Sequence, residues 1–176
     1  MDCVAVVRQM VMRMRFWLSP ISLIFRRLPL FANIGHGVWR FFQARYSVGV
    51  VGVIFDRQGK VLLAKHAFHS KHMWGLPGGW VGGTEDPAAA VKREIKEELS
   101  MDIEVGAILL AEKPYKNHLD LAYLCSAESD QVGNLSFELL EYGWFDVSEM
   151  PKILCVHHRA IQRAVEITRT AGGVTA

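Results

Sequence analysis

Cysteine is scarce in this chain. Cys3, Cys125 and Cys155 are the only three in 176 residues, and they lie far apart. The absence of any Cys-x-x-Cys pair excludes a thiolate zinc site or a dithiol redox site as the basis of function. Scattered free thiols of this kind fit a reducing, cytoplasmic setting. Long uncharged apolar runs are missing as well. Arg15, Arg26, Arg27 and Arg40 interrupt the apolar N-terminal stretch before any run reaches the roughly 18 residues a transmembrane helix needs. Pro20 and the same arginines break the pattern of a secretory signal. Neither an internal repeat nor a low-complexity tract is present.

Acidic residues and lysine are nearly absent from residues 1–45, which hold seven arginines, no lysine and one acid, Asp2. That segment carries +6 of a total of +2, so residues 46–176 carry −4. The second part has no basic stripe, and no specific nucleic-acid partner is expected. Residues 1–45 combine arginine with Met10, Met12, Met14, Phe16, Trp17, Trp39, Phe41 and Phe42. Three readings stand: a helical arm packed on the domain or on a second copy in a homodimer, an interfacial helix attracted to anionic lipid, or an organelle-targeting peptide. Cytoplasmic residence, with peripheral membrane contact through residues 1–45, accommodates the first two.

What is present in quantity is acid on one helix. Asp86-Pro87 reads as an N-cap followed by proline at the first helical position. Ala88, Ala89 and Ala90 favour helix. Val91, Ile95 and Leu99 recur every four residues and form a buried stripe. Glu94, Glu97 and Glu98 share another face at i, i+3 and i+4. Like charges one turn apart weaken an isolated helix by a few tenths of a kcal/mol. With Glu85 on the preceding loop they make an oxygen-rich site suited to Mg²⁺ or Mn²⁺ rather than zinc. The loop before this helix, Leu76-Pro77-Gly78-Gly79 and then Gly82-Gly83, lets backbone approach a ligand closely. It also enters a helix N-terminus, which favours anions.

Around that helix the chain alternates strands and turns. Residues 48–55 and 60–65 read as strands joined by the turn Asp56-Arg57-Gln58-Gly59, which predicts a hairpin. Residues 74–77 form a short strand. Residues 103–111 and 119–126 form two more, residues 142–145 another, and residues 148–153 a turn or short helix. Residues 157–169 read as a final helix. A sheet covered by helices on both faces gives a layered α/β domain with a mixed sheet. The boundaries are 1–45 for a basic, apolar and helical arm, 46–170 for the domain and 171–176 for a frayed tail.

Gly79, Glu85, Arg93, Glu94, Ile95, Glu97, Glu98 and Met101 are spaced as Gly, five residues, Glu, seven residues, then Arg-Glu-apolar-x-Glu-Glu-x-Gly-apolar. Six glycine, arginine or glutamate matches at fixed spacing arise by chance about once in 10⁵ such chains, at background frequencies of roughly 6–7%. The pattern resembles the Nudix box. The resemblance spans residues 46–169 and implies an α/β/α sandwich with a mixed sheet. It implies metal-dependent hydrolysis of a nucleoside diphosphate linked to another moiety, on a small-molecule, nucleotide-type substrate. Glu94, Glu97 and Glu98 are the implied metal ligands, with the Gly79 carbonyl. Arg93 and Glu85 are the implied pair that holds loop to helix. One of the helix glutamates, or Glu138 or Glu141 from the later loop, is the implied general base.

Gly78 and Gly79 are the expected substrate-binding backbone. Trp74, with His66, His69 and His72, could stack on a base or contact phosphate. Subgroup signatures for NADH-cleaving and coenzyme A-cleaving members are absent, and Pro114 lies short of the proline in ADP-ribose-cleaving members. Two alternatives remain. One is a diphosphate isomerase using Cys125, and the other is a non-enzymatic membrane- or partner-binding module. Ser100 departs from the box, where the family has a glycine that ends the helix in a left-handed turn. Serine in that geometry costs about 1 kcal/mol. Ser100→Gly is therefore expected to raise stability slightly and leave turnover nearly unchanged.

Overall fold

The computed structural model describes residues 38–40, 42–67 and 74–172. The chain divides into two compact units, Met1–Ala44 and Arg45–Ala176. Most of the expected N-terminal arm, with His69, His72 and residues 173–176, lies outside the described residues. No helix among the described residues is long and apolar enough to cross a membrane.

The second unit runs β1 (Ser47–Ile54), β2 (Val61–His66), β3 (Trp74–Gly75), β4 (Gly78–Trp80), α1 (Pro87–Leu99), β5 (Ile103–Glu112), β6 (His118–Ala127), β7 (Leu139–Phe145) and α2 (Cys155–Gly172). Four strands form a mixed sheet in the order β4-β1-β6-β5, and three form an antiparallel sheet in the order β3-β2-β7. β1 runs parallel to β6 from Ser47 opposite His118 to Ile54 opposite Cys125. The connection between them carries α1 across one face.

Alternation along the strands divides the apolar residues between two cores. Val50, Ile54, Leu62 and Ala64 pack with Val91, Ile95 and Leu99 of α1. Val53, Val61, Leu63 and Ala122 pack with Ala160, Ile161 and Ala164 of α2. The two helices thus cover opposite faces, giving the α/β/α sandwich. Arg159 of α2 forms a two-pronged ion pair with Glu112 at the end of β5.

The expected hairpin between residues 48–55 and 60–65 is replaced by something else. Only an isolated bridge, Phe55 opposite Val61, joins the two strands before they part into different sheets. Both edges of β1 are already taken, by β4 on one side and β6 on the other. β2 therefore pairs elsewhere. The turn itself is well made, since Asp56 Oδ1 accepts from the Gln58 and Lys60 amides at 2.9 and 2.8 Å.

α1 begins as its sequence directs. Asp86 is the N-cap, and its Oδ1 accepts from Ala88 N at 2.9 Å and Ala89 N at 3.3 Å. It ends at Ser100, in the left-handed conformation with φ 52°. The loop that follows β6 caps the exposed carbonyls. Gly133 N donates to Leu99 O, and Ser136 N to Glu98 O, each at 2.9 Å. This docking brings residues 133–138 back over the C-terminal turn of α1.

Candidate active site

The glycine loop is built into the sheet. Val51 pairs with Gly78 and Val50 with Gly79. Gly78 has φ +147°, and a Cβ there would fall 2.1 Å from Val50 O. Both the dihedral and the space exclude a side chain. A Cβ on Gly79 would lie 2.5–2.7 Å from the Glu94 carboxylate. The loop therefore approaches the helix as closely as bare backbone allows, and Glu94 fills the space a side chain would need.

Arg93 ties the loop to the helix. Its Nε and Nη2 donate to the two oxygens of Glu85 at 2.9 and 3.0 Å, a bidentate pair. Nη2 also donates to Trp80 O at 3.1 Å. Nη1 reaches Glu94 Oε1 at 2.8 Å and Glu97 Oε2 at 3.1 Å. Glu85 accepts a further bond from Gly82 N at 3.1 Å. The Arg93 guanidinium, followed by the Gly82 amide, holds the Glu85 carboxyl below the usual carboxylate range. Glu85, followed by Glu94, raises the affinity of Arg93 for its proton.

Glu98 is the buried member of the acidic face, only 5% exposed. Its Oε2 accepts from Gly78 N at 2.9 Å, and its Oε1 lies 3.7 Å from His66 Nδ1. Burial pushes its carboxyl up to about 8, opposed by the Gly78 amide and reinforced by the charges of Glu94, Glu138 and Glu97. Leu76, within the same loop, donates its amide to His157 Nδ1 of α2 at 3.1 Å. The sequence offered no signal for this contact, because the two residues lie 81 positions apart.

A family model described as NUDIX domain matches residues 45–166. The chain belongs to the Nudix family. Among curated proteins it is similar to an RNA pyrophosphohydrolase of Acidiphilium cryptum. The match is 44% identical over 57 residues, which are 31% of this chain and 35% of that protein. It is also similar to the Xenopus laevis nucleoside diphosphate-linked moiety X motif 6 protein. There the identity is 29% over 116 residues, 61% of this chain and 53% of that protein. The chain thus spans between about a third and a half of these two relatives. Among solved structures it resembles a MutT NUDIX hydrolase from Burkholderia pseudomallei. That likeness has TM-score 0.60 and 28% identity, and covers 68% of this chain and 98% of the other.

Nudix chemistry implies a divalent ion at the glutamates. Among the described residues no three acidic, histidine or cysteine side chains converge into a ready-made cage. The reason is visible in the hydrogen bonds: Arg93 draws Glu94 and Glu97 toward itself, and Gly78 N holds Glu98. The donor chemistry nevertheless fits a hard cation, since three carboxylates and the Gly79 backbone share one face.

The remaining candidates separate into two groups. Glu138 stands close enough to Glu98 for its charge to raise that carboxyl. Its backbone carbonyl accepts from Ala67 N at 2.9 Å. Glu141 is elsewhere. It pairs with Lys65 across β2 and β7, Nζ to Oε2 3.1 Å. Lys65 follows Ala64, which faces α1, so Lys65 and Glu141 project from the α2 face, away from Glu98. Trp74 lies on that face too. Its ring meets Phe145 edge-on at 5.0 Å and packs against the α2 core. The structure therefore brings Glu85, Arg93, Glu94, Glu97, Glu98, Gly78, Gly79 and Glu138 together, and leaves Glu141 and Trp74 apart.

Ser100 does more than tolerate its left-handed turn. Its Oγ donates to Asn134 O at 2.9 Å. A hydrogen bond of this kind contributes about 0.5–1.5 kcal/mol, which offsets the roughly 1 kcal/mol strain of a left-handed serine. The slight gain expected of Ser100→Gly shrinks accordingly. Urea unfolding should give the variant a stability within about 0.5 kcal/mol of wild type, and a shift beyond 1.5 kcal/mol either way would contradict this balance.

Glu98 predicts a pH signature in the metal-free protein. Its folded pKa lies above the unfolded value of about 4.3, so the folded state keeps a proton that the unfolded state has lost. The associated stability is complete below about pH 4, declines as pH rises, and levels off once the folded group ionises near pH 8. Glu98→Gln should melt with wild type at pH 4 in EDTA and above it at pH 8. The gap should reach roughly 2–5 kcal/mol at about 1.4 kcal/mol per unit. Parallel Tm profiles across that range would refute the assignment.

Proposed function

We propose that the chain hydrolyses a phosphoanhydride bond in a nucleoside diphosphate linked to another moiety. The observation that carries this reading is a buried carboxylate, Glu98, bonded to the Gly78 amide inside a cluster with Glu94, Glu97 and Glu138. A solvated helix face has no reason to bury an acid among acids. The relatives' names, pyrophosphohydrolase and nucleoside diphosphate-linked moiety X, support the same chemical class.

In this reading Glu94, Glu97, Glu98 and the Gly79 carbonyl would hold Mg²⁺ or Mn²⁺. An ion held there would supply charge neutralisation at the diphosphate oxygens and would acidify the attacking water. Arg93 keeps Glu85 and the Trp80 carbonyl in place, so the loop stays registered on α1. The water oxygen forms a bond to phosphorus, and the phosphoanhydride bond breaks with its electron pair going to the leaving phosphate. The water's proton passes to a carboxylate. Proximity to Glu98 favours Glu138 for this role over Glu141, which is engaged with Lys65.

The isomerase alternative loses its nucleophile. Cys125 is buried, and burial pushes its thiol up to about 12, far from a reactive thiolate.

A panel of nucleoside diphosphate-linked compounds, assayed for phosphate-containing products with Mg²⁺ or Mn²⁺, tests the hydrolase. Activity should require metal and fall at least about a hundredfold in Glu98→Gln, in line with the loss of one transition-state group. Glu138→Gln should lower kcat by more than tenfold, and Glu141→Gln by less than threefold. Equal losses in the last two variants would reject the choice of base, and metal-independent turnover would reject the mechanism.

A second reading concerns residues 1–45. Trp39 and Phe42 are 59% and 79% exposed and lie beside Arg40 and Arg45, a combination suited to an anionic lipid surface. We infer peripheral membrane contact through this segment. Sedimentation with phosphatidylserine vesicles should carry down the full chain and leave Trp39→Ala/Phe42→Ala in solution. Equal partitioning of the two would exclude it.

A further inference from the structure

The proposed mechanism leaves unused a second group of polar and aromatic side chains, at the start of β1 and β6. A Cβ on Gly79 would point at Glu94, so Trp80, the next residue of β4, projects from the opposite face of the sheet. Trp80 pairs with Gly49 of β1, and Gly49 pairs with Asp120 of β6. The three residues stand side by side across three strands. A Cβ at Gly49 would lie 2.5 Å from Asp120 Oδ1 and 3.2 Å from His118. With no side chain at 49, the Trp80 ring reaches across the strand to His118, centroid to centroid 4.9 Å at 65°.

His118 is buried, 4% exposed. Its Nε2–H donates to Asp120 Oδ1 at 2.7 Å, and its Nδ1 lies 2.9 Å from Ser47 Oγ. Tyr115 stacks on the same ring at 4.5 Å and 10°. One imidazole, fixed at both nitrogens, therefore sets the orientation of two aromatic rings. Those rings each remain 58% exposed. Burying the polar imidazole carries a desolvation cost that its hydrogen bonds only offset, and the exposed rings above it recover little apolar burial in return. The arrangement is better suited to receiving a ligand than to completing a core.

We propose that the exposed Trp80 ring, held edge-on to His118 and flanked by Tyr115, is a preset stacking platform for the nucleobase of the substrate, with His118 as the positioning residue. The identity of the ligand rests on the nucleotide-diphosphate reading given above. Trp80 follows Gly79 directly, and its carbonyl is held by Arg93 at 3.1 Å. A base on the platform and a diphosphate at the glutamates are separated only by β4, an edge strand that a ligand can cross. Tyr115 lies between Lys113 and Lys116, and Lys113 Nζ stands 5.2 Å from the Tyr46 ring centroid. Lys113 and Lys116 bring positive charge to this end of the sheet, and Asp120, the carboxylate whose charge acts on Tyr115, is bonded to His118. Base–aromatic stacking tolerates any base.

NMR titration of the full-length chain in EDTA tests the platform, with AMP, CMP and ribose 5-phosphate as probes. The Trp80 indole N–H is assigned by its disappearance in Trp80→Phe. AMP and CMP should shift that resonance saturably, and ribose 5-phosphate should not. Trp80→Leu should weaken AMP binding about tenfold or more, the range expected for a lost base–aromatic stack. In turnover, the same variant should raise KM more than it lowers kcat. The proposal is overturned if ribose 5-phosphate moves the signal as far as AMP does, or if no nucleotide moves it. Glu98-dependent hydrolysis that persists with no shift at Trp80 would remove the platform alone. AMP binding at Trp80 in a protein that hydrolyses nothing on the panel would remove the hydrolase reading alone.

Discussion

The guanidinium of Arg93 is the constraint on which the rest of the site depends. It joins two oxygens of Glu85 and the Trp80 carbonyl, all from the loop, to Glu94 and Glu97 on the helix. Only a planar fork with five donors can satisfy this set; an ammonium has the charge but not the geometry. The ion pairs are partly exposed, and each alone contributes little to stability. Their value is positional. They fix the spacing between a glycine loop that can approach a ligand and a helix that carries the carboxylates.

The second organising feature is segregation across the sheets. The α1 face collects Glu98, Glu94 and the neighbouring Glu138, whereas the α2 face takes Glu141, Lys65 and Trp74 into an ion pair and a packed aromatic contact. Acid is thus concentrated where burial makes it expensive. Where it is paired with lysine and half in water it costs little. An acidic cluster of this kind works against stability in the absence of cations, a trade often found where function requires a strained or charged site.

Local features of the sequence were readable and long-range ones were not. The Asp86 cap, the Val91-Ile95-Leu99 stripe and the shared face of Glu94, Glu97 and Glu98 follow from helical period alone. The box residues are legible for the same reason, since their spacing is confined to one loop and one helix. The hairpin expectation failed because strand partners are chosen globally: β1 has both edges filled by β4 and β6, which are distant in sequence. Which face Glu141 occupies follows from its pairing with Lys65 across β2 and β7, a long-range register that no composition rule anticipates. Trp80 carries no signal of its own in the sequence. Its setting requires a glycine on one strand and a histidine on another, brought together only by parallel pairing.

The bond from Leu76 N to His157 Nδ1 has a consequence for biosynthesis. The acceptor lies 81 residues after the donor and belongs to α2, the last of the described elements to be made. Until α2 emerges and docks, the backbone just ahead of Gly78 lacks this anchor, and the amide that holds Glu98 is correspondingly less fixed. The glycine loop is thereby coupled to completion of the sandwich. A nascent chain displaying the whole glycine loop and glutamate helix is still an unfinished domain, with its loop anchored only when the opposite layer arrives.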